Sequence, residues 1–457
     1  MGVVAKRSIG NHDEMSDLAV MIGPTKTDGD EVAVNKRSKP TLSPNAEVLL
    51  QQVRKRFLDS REFNGLHLHG GAVDEARSPG IELVRAGMVQ VVTGADYMNI
   101  HIRPWPSRRS PEDQEQDLAS LTADDYGVCL YPTVEGMKGV RLPTRLTGRP
   151  YARAMARGKG TLELAFFEFA VLEQYRNDGR FRFDFGDAGA SMCLTDEAFD
   201  GDDVFERDHV GLSHIGFAYD LSGYDSSDPG SPVERRVAVF YCDLITLTPE
   251  HQRRWETYQV PDDGLEPHPI WWGSQMGRWP EAVGPFAHLF IELQNLNQLT
   301  QLAFGEHMFR IEERPADFGW LLRPSQREWD AFVLQLDKLL SENLSSQFLD
   351  RVGAPTTDDR SQRIGSLNRF QSFMLDHGVS AADAKKVLAP LRDVRQARQK
   401  PAHAIRSNLN DHSFIHKQIN LMQETIGALT GIRGWLSTHP ACSEWKNDYA
   451  DLSVYPL

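Results

Sequence analysis

Cysteine is scarce in this chain. Its 457 residues include four, Cys129, Cys193, Cys242 and Cys442, far apart and with no CxxC pair. That spacing offers neither a zinc knuckle nor a disulfide framework, and it suits a reducing compartment. Long apolar runs are missing too: no window approaches the ~18–20 continuous apolar residues of a membrane span. The N-terminal stretch MGVVAKRSIGNHDEMSDLAVM is broken by charges where a signal peptide needs an apolar core. Gly2 is followed by Lys6, so the myristoylation pattern fails. These absences predict a cytoplasmic protein with no membrane contact. Positive charge is also short, with 50 Lys and Arg against 64 Asp and Glu, a net charge of −14. A generally basic nucleic-acid coat is excluded, whereas a local basic patch is not.

The common catalytic signatures are missing as well. There is no GxxxxGK[ST], no GxGxxG after a strand, no GxSxG and no HExxH; GSQMG (273–277) and GASMC (189–193) match none of them. No strand-borne carboxylate is followed by a clear ExK, which removes the common metal-dependent nuclease core. Neither a metal site nor a cofactor is expected.

What is present is an ordinary globular balance, 40% hydrophobic and 25% charged, with room for two or three domains. Residues 1–43 carry mixed charge, Ser, Thr, Pro and Gly without periodicity and read as a flexible tail. A helix should follow Asn45, through AEVLLQQVRKRFLD. Strands are expected at 81–92, 97–105, 180–186, 214–221 and 235–247. The clearest is RFRFDFG, with Phe181, Phe183 and Phe185 on one face. Helices are expected at 161–177 and 249–258. From 285 onward the pattern turns to period 3.6, predicting helices at 285–304, 325–348, 360–376, 380–399 and 411–437. The chain is therefore read as α+β: a mixed, β-rich domain over 44–310, then an all-α bundle over 320–457.

Several features invite a chemical reading. DEAFDGDDVFERD (196–208) holds seven carboxylates, but its spacing does not fit the calcium loop, and a solvated acidic loop is the plainer reading. HPIWWGSQMGRW (268–279) clusters three Trp without interleaved basic residues, which suggests packing more than base stacking. His67 and His69 share one side of a strand, and His412 and His416 one side of a helix, but neither pair has a third ligand. The segment 385–406 is different. Seven basic residues (Lys385, Lys386, Arg392, Arg395, Arg398, Lys400, Arg406) face one acid, Asp393, a net +6 in 22 residues of an acidic chain. Arg392, Arg395 and Arg398 recur at helical spacing beside an apolar stripe of Leu388, Leu391 and Val394. Such a ridge suits phosphate contacts.

Within that ridge Arg398 and His403 stand in an R-x4-H spacing, in the run LRDVRQARQKPAHAI. Pro401 is expected to end one helix near Gln399 and begin another. Arg398 then sits where a helix C-terminus favours a cation, and His403 where a helix N-terminus favours a neutral imidazole. A neutral imidazole beside a fixed guanidinium suits acid–base work on a phosphodiester.

A C-terminal helical bundle carrying R-x4-H near the end of its third helix resembles the HEPN superfamily, over about residues 325–437. The resemblance implies a metal-independent endoribonuclease of a bacterial defence or toxin type, with the RNA 2′-hydroxyl as nucleophile. Arg398 would hold the scissile phosphate and His403 act as acid or base. Arg392, Arg395, Gln399, Lys400 and Arg406 would contact RNA, in a homodimer joined through the bundle, with the N-terminal domain sensing or regulating. Gln399 stands where active members often have Asn, Asp or His. The alternative is a non-catalytic RNA- or protein-binding dimer built on a silent bundle.

Overall fold

Pro44 occupies the first position of helix α1 (Pro44–Asp59), where its missing N–H costs nothing. The computed structural model describes residues 41–122, 127–200, 206–220, 234–278, 281–402, 407–450 and 452–454. The tail expected over 1–43 lies outside these residues except at 41–43. From Pro44 the described chain forms one unit. After α1 come β1 (Leu66–Leu68), α2 (Ala72–Arg85), β2 (Val89–Thr93), α3 (Pro111–Ser120) and β3 (Val128–Pro132). The three strands pair antiparallel in the order β1-β3-β2.

A second sheet follows α4 (Pro150–Ala156). Its strands are β4 (Leu164–Glu168), β5 (Phe181–Phe185), β6 (Gly189–Leu194), β7 (Gly211–Asp220), β8 (Glu234–Phe240), β9 (Gln259–Val260) and β10 (Leu265–Pro267). They run antiparallel in the order β5-β6-β7-β8-β4-β9, with β10 beside β7. Helix α5 (Pro249–Glu256) lies between β8 and β9, and α6 (Pro269–Gln275) follows β10. Alternation decides the two faces. Phe167, Phe217, Val237 and Val239 enter the main core with the phenylalanines of β5. Phe166, Ala218, Ala238 and Phe240 face the other way and are covered by Trp271 of α6. Trp271 stacks on Phe240 with ring centroids 5.3 Å apart. Gly216 permits this approach, since a Cβ there would stand 2.3 Å from the Trp271 ring.

The helical half comprises α7 (Pro285–Phe304), α8 (Gln326–Asp337), α9 (Ser346–Arg351), α10 (Ser366–Asp376), α11 (Ala381–Ala402) and α12 (Ser413–Leu436). Ser325 caps α8 by accepting from the Glu328 amide at 3.4 Å. The main hydrophobic core is continuous from Phe57 through the sheet to Leu388, Leu429 and Cys442. The change from strands to helices near 285 is thus a change of layer over one core. Among the described residues no helix is long and apolar enough to cross a membrane.

Local structure departs from expectation in several places. Residues 81–85 end α2 instead of beginning a strand. Val73, Ala76, Gly80, Leu83 and Val84 are its buried face, a helical period interrupted in the sequence by Pro79. The segment 97–105 is not a strand. Pro104 lacks a donor, and Arg103 is buried there, donating to the carbonyls of Pro132 and Lys159 at 2.9 Å each. The helix expected at 161–177 is instead strand β4, a 3₁₀ turn (Phe169–Leu172) and a short helix (Glu173–Asn177). Its run LAFF, ahead of the exposed Glu168, is apolar on both faces, which a strand buried on both faces requires as much as a helix does. The strand expected over 235–247 stops at Phe240 and passes into a helical turn (Tyr241–Leu244). The helix expected at 325–348 is interrupted by a π-helical turn, Lys338–Glu342.

Candidate functional site

The basic ridge is helix α11. Leu388, Leu391 and Val394 are buried, as their spacing predicts, so the arginines are carried on the flanks of an anchored helix. The break expected before Pro401 does not occur: α11 continues through Pro401 to Ala402, and Pro390 also lies within it. Burial of the apolar stripe outweighs the hydrogen bond that each proline forfeits. His403 and Arg406 lie outside the described residues, as does the Lys400 side chain. Beyond them the chain is pinned to the start of α8. The Gln326 amide donates to the Leu409 carbonyl, and the Asp411 amide to the Pro324 carbonyl, each at 2.8 Å.

Arg398 is the best-defined member of the ridge. Its Nη1 donates to Asp337 Oδ2 at 2.5 Å and also to Glu342. Asp337 closes α8 with its side chain 1% exposed, and its other carboxylate oxygen accepts from the Ser341 hydroxyl. The π turn sets Ser341 against Asp337 and Glu342 against Arg398. π turns recur where a helix must redirect side chains. Hydrogen bonds donated to Asp337 and Glu342 push the Arg398 pKa up, so its charge is permanent. The side chain is 35% exposed, and its Nε and Nη2 donors have no hydrogen-bond partner among the described residues. That Nε–Nη2 edge is the planar fork that grips phosphate.

The other ridge residues diverge. Arg392 Nη2 donates to Gln371 Oε1 of α10 at 2.7 Å. Arg395 and Gln399 are exposed, and neither makes an ion pair among the described residues. A cleft of about 430 Å³ is lined by Gln301, Glu306, His307, Arg310 and Gln347. Arg310 donates to the Glu342 carbonyl, so one residue joins the cleft wall to Arg398.

The remaining sequence candidates take structural roles or stay apart. Trp271 and Trp272 pack on the outer sheet face, and Trp279 lies outside the described residues. His67 meets His69 and His101, with ring centroids 5.1 and 5.2 Å away. Among the described residues no group of three or more His, Cys, Asp or Glu side chains is placed to hold a metal ion. Within the acidic stretch, residues 201–205 lie outside the description, while Asp208 turns inward.

Asp208 belongs to a buried relay that sequence reasoning missed. Asp208 Oδ1 lies 3.5 Å from His251 Nε2, and His251 Nδ1 lies 2.7 Å from the Tyr175 hydroxyl. Trp255 Nε1 donates to that hydroxyl at 2.9 Å, so the tyrosine proton points to Nδ1. Burial lowers the His251 pKa against the opposing pull of Asp208, which favours a neutral imidazole able to accept it. Acid–histidine–hydroxyl geometry usually suggests catalysis, but Tyr175 and Trp255 are wholly buried, and the relay works as a core clasp. Tyr175→Phe should cost about 1–3 kcal/mol, because it leaves the Trp255 N–H and His251 Nδ1 unpaired. Urea unfolding would read this, and a loss below about 0.5 kcal/mol would refute the clasp.

Asp337 and Glu342 were equally missed. The available signal was Asp337 itself, four residues after Val333 and one after Leu336, on the apolar face of its helix. A carboxylate at a core position demands a buried partner. No family model, curated protein or solved structure matches this chain.

Proposed function

We propose that this chain is a metal-independent endoribonuclease of the HEPN type, acting from the C-terminal end of α11. Arg398 holds the scissile phosphate, His403 is the general acid or base, and the RNA 2′-hydroxyl attacks, so DNA is spared. The observation that supports this is the presentation of Arg398. One guanidinium nitrogen is fixed by a buried carboxylate, while the phosphate-gripping edge is left to a ligand. Arg392, Arg395, Gln399, Lys400 and Arg406 contact the RNA along the same segment. Two copies join through the bundle, and residues 44–310 sense or restrain it, as in bacterial defence or toxin systems.

The test is incubation of purified wild type and His403→Ala with total RNA in EDTA, read on a gel. Cleavage by wild type alone is expected. Equal cleavage by both removes His403 from the reaction.

A second reading, a non-catalytic RNA- or protein-binding dimer, is favoured by one observation. The charge of Arg398 is already met by two carboxylates. It predicts no cleavage by either protein. RNA binding would then weaken with salt and with loss of Arg392 or Arg395, and would not depend on His403.

A further inference from the structure

Among the described residues, a buried cation with no carboxylate partner lies where the sheet meets the helical layer. Arg235 is the second residue of β8 and stands opposite Tyr219 of β7. It is 5% exposed, on the same strand face as Val237 and Val239, which enter the main core. Its guanidinium carbon is 3.7 Å from the centroid of the Trp320 ring. None of its three nitrogens makes a well-formed hydrogen bond among the described residues, and the buried Tyr219 hydroxyl is the polar group that interacts with it.

Arg314 reaches the same aromatic wall. Its guanidinium carbon is 4.7 Å from the Phe286 centroid, and the Phe286 and Trp320 rings meet edge-on at 4.7 Å. Its Nε donates to the Phe318 carbonyl at 2.9 Å and its Nη1 to Asp187 at 3.2 Å, while Nη2 is buried with no hydrogen-bond partner among the described residues. Asp187 is the carboxylate at this wall, and it is heavily used. It also accepts from the amides of Phe286 and Ala287 at the start of α7, at 3.2 and 2.8 Å. Gly284 makes that cap possible, since a Cβ there would stand 2.4 Å from the Asp187 side chain. Among the described residues, two guanidiniums against one carboxylate leave one positive charge at this wall.

An arginine keeps its charge in proteins, and a buried charge without a partner is among the least favourable features a fold can contain. The Trp320 ring covers one face of the Arg235 guanidinium, but in-plane N–H donors gain nothing from a ring face. A planar fork of donors beside a hydroxyl is the arrangement that receives a tetrahedral oxyanion.

We propose that the junction of β7, β8 and Trp320 is a binding site for a phosphate group, gripped by Arg235 and the Tyr219 hydroxyl, with Arg314 adding charge across the aromatic wall. The site is independent of the ribonuclease reading and lies on other elements. The phosphate is either free or carried by a small phosphomonoester.

Thermal unfolding of the full chain tests this in sodium phosphate, in AMP and in sodium chloride at matched ionic strength. Wild type should gain a few degrees in Tm in phosphate or AMP over chloride, by mass action on the folded state. A lower half-saturating concentration for AMP would identify a phosphomonoester as the ligand, and a lower one for phosphate the free ion. Arg235→Met should lose the gain yet match or exceed wild type in chloride, because its side chain packs on Trp320 without a buried charge. Tyr219→Phe, which keeps the cation and the packing, should raise the half-saturating concentration roughly three- to tenfold. Equal Tm for wild type in all three salts overturns the proposal, as does a gain retained by Arg235→Met. So does a fall of Arg235→Met in chloride with no phosphate effect in wild type, which makes Arg235 a purely structural cation–π residue.

Discussion

Arg398→Ala should lose about 2–4 kcal/mol of folding stability, although the residue lies near the end of a helix with its side chain 35% exposed. The loss comes from what the substitution leaves behind. Asp337 is 1% exposed and, among the described residues, keeps only Ser341 once Arg398 is gone, so a carboxylate remains in the interior with half its partners. An exposed ion pair would be worth under about 1 kcal/mol, and the Glu342 contact alone belongs to that class. The two contributions separate in a double-mutant cycle read by urea unfolding. Asp337→Asn should recover most of the stability in the Arg398→Ala background, because an amide tolerates burial where a carboxylate does not. Glu342→Gln should recover little. A loss below about 0.5 kcal/mol for Arg398→Ala would show that Asp337 needs no cation and that the guanidinium serves a ligand alone. The same arithmetic governs any activity assay: a dead Arg398→Ala protein reports on the site only if its fold is intact. Arg398→Lys, which keeps a charge for Asp337 but removes the planar fork, is the cleaner probe of phosphate contact.

How far the sequence reaches can be seen by setting α7 beside β4. Helix α7 matches its expected limits of 285–304, because its apolar residues recur at the helical period and Gly305, with φ 76°, ends it in the left-handed region. Strand β5 was legible from three phenylalanines at period 2. Strand β4 was not, since a segment buried on both faces has no polar side to reveal its period. Helix α2 was hidden by Pro79, and α11 was cut short on paper by Pro401, because local breakers speak against a helix that tertiary burial then enforces. Chemistry was less legible than structure. Arg398 was found through spacing and charge, but its two carboxylates lie 61 and 56 residues earlier, and nothing local to 385–406 announces them. Arg235 and His251 were passed over because burial is a property of the assembled layers.

Arg433→Ala should be at least as damaging as the loss of Arg398, at about 3–5 kcal/mol. Glu292 sits in the middle of α7 with its side chain 2% exposed. It accepts from Arg433 Nε at 2.7 Å and from the Thr430 hydroxyl at 3.0 Å, both on α12, and His288 Nε2 lies 3.4 Å away on its own helix. This cluster fixes α12 against α7, and α7 in turn begins at the Asp187 cap beneath the sheet. Removing Arg433 leaves the buried carboxylate with Thr430 and His288 but without its permanent cation. Removing Glu292 strands an arginine whose side chain is 21% exposed and can turn toward water, so Glu292→Gln should cost less, about 1–2 kcal/mol. That asymmetry is the signature to seek in urea titrations, and equal losses would refute it. Acid supplies a second readout. Burial alone would raise the Glu292 pKa, but bonds from His288, Arg433 and Thr430 win and hold it below the usual glutamate value. A depressed carboxylate contributes stability that is fully present above its unfolded pKa of about 4.3 and is lost as the pH falls through the folded value. The gap between wild type and Glu292→Gln should therefore be constant from pH 7 to about 5 and shrink below that. If the gap persisted undiminished to pH 2, the contact would be held by shape and hydrogen-bond geometry, and the charge of Glu292 would have no part in it.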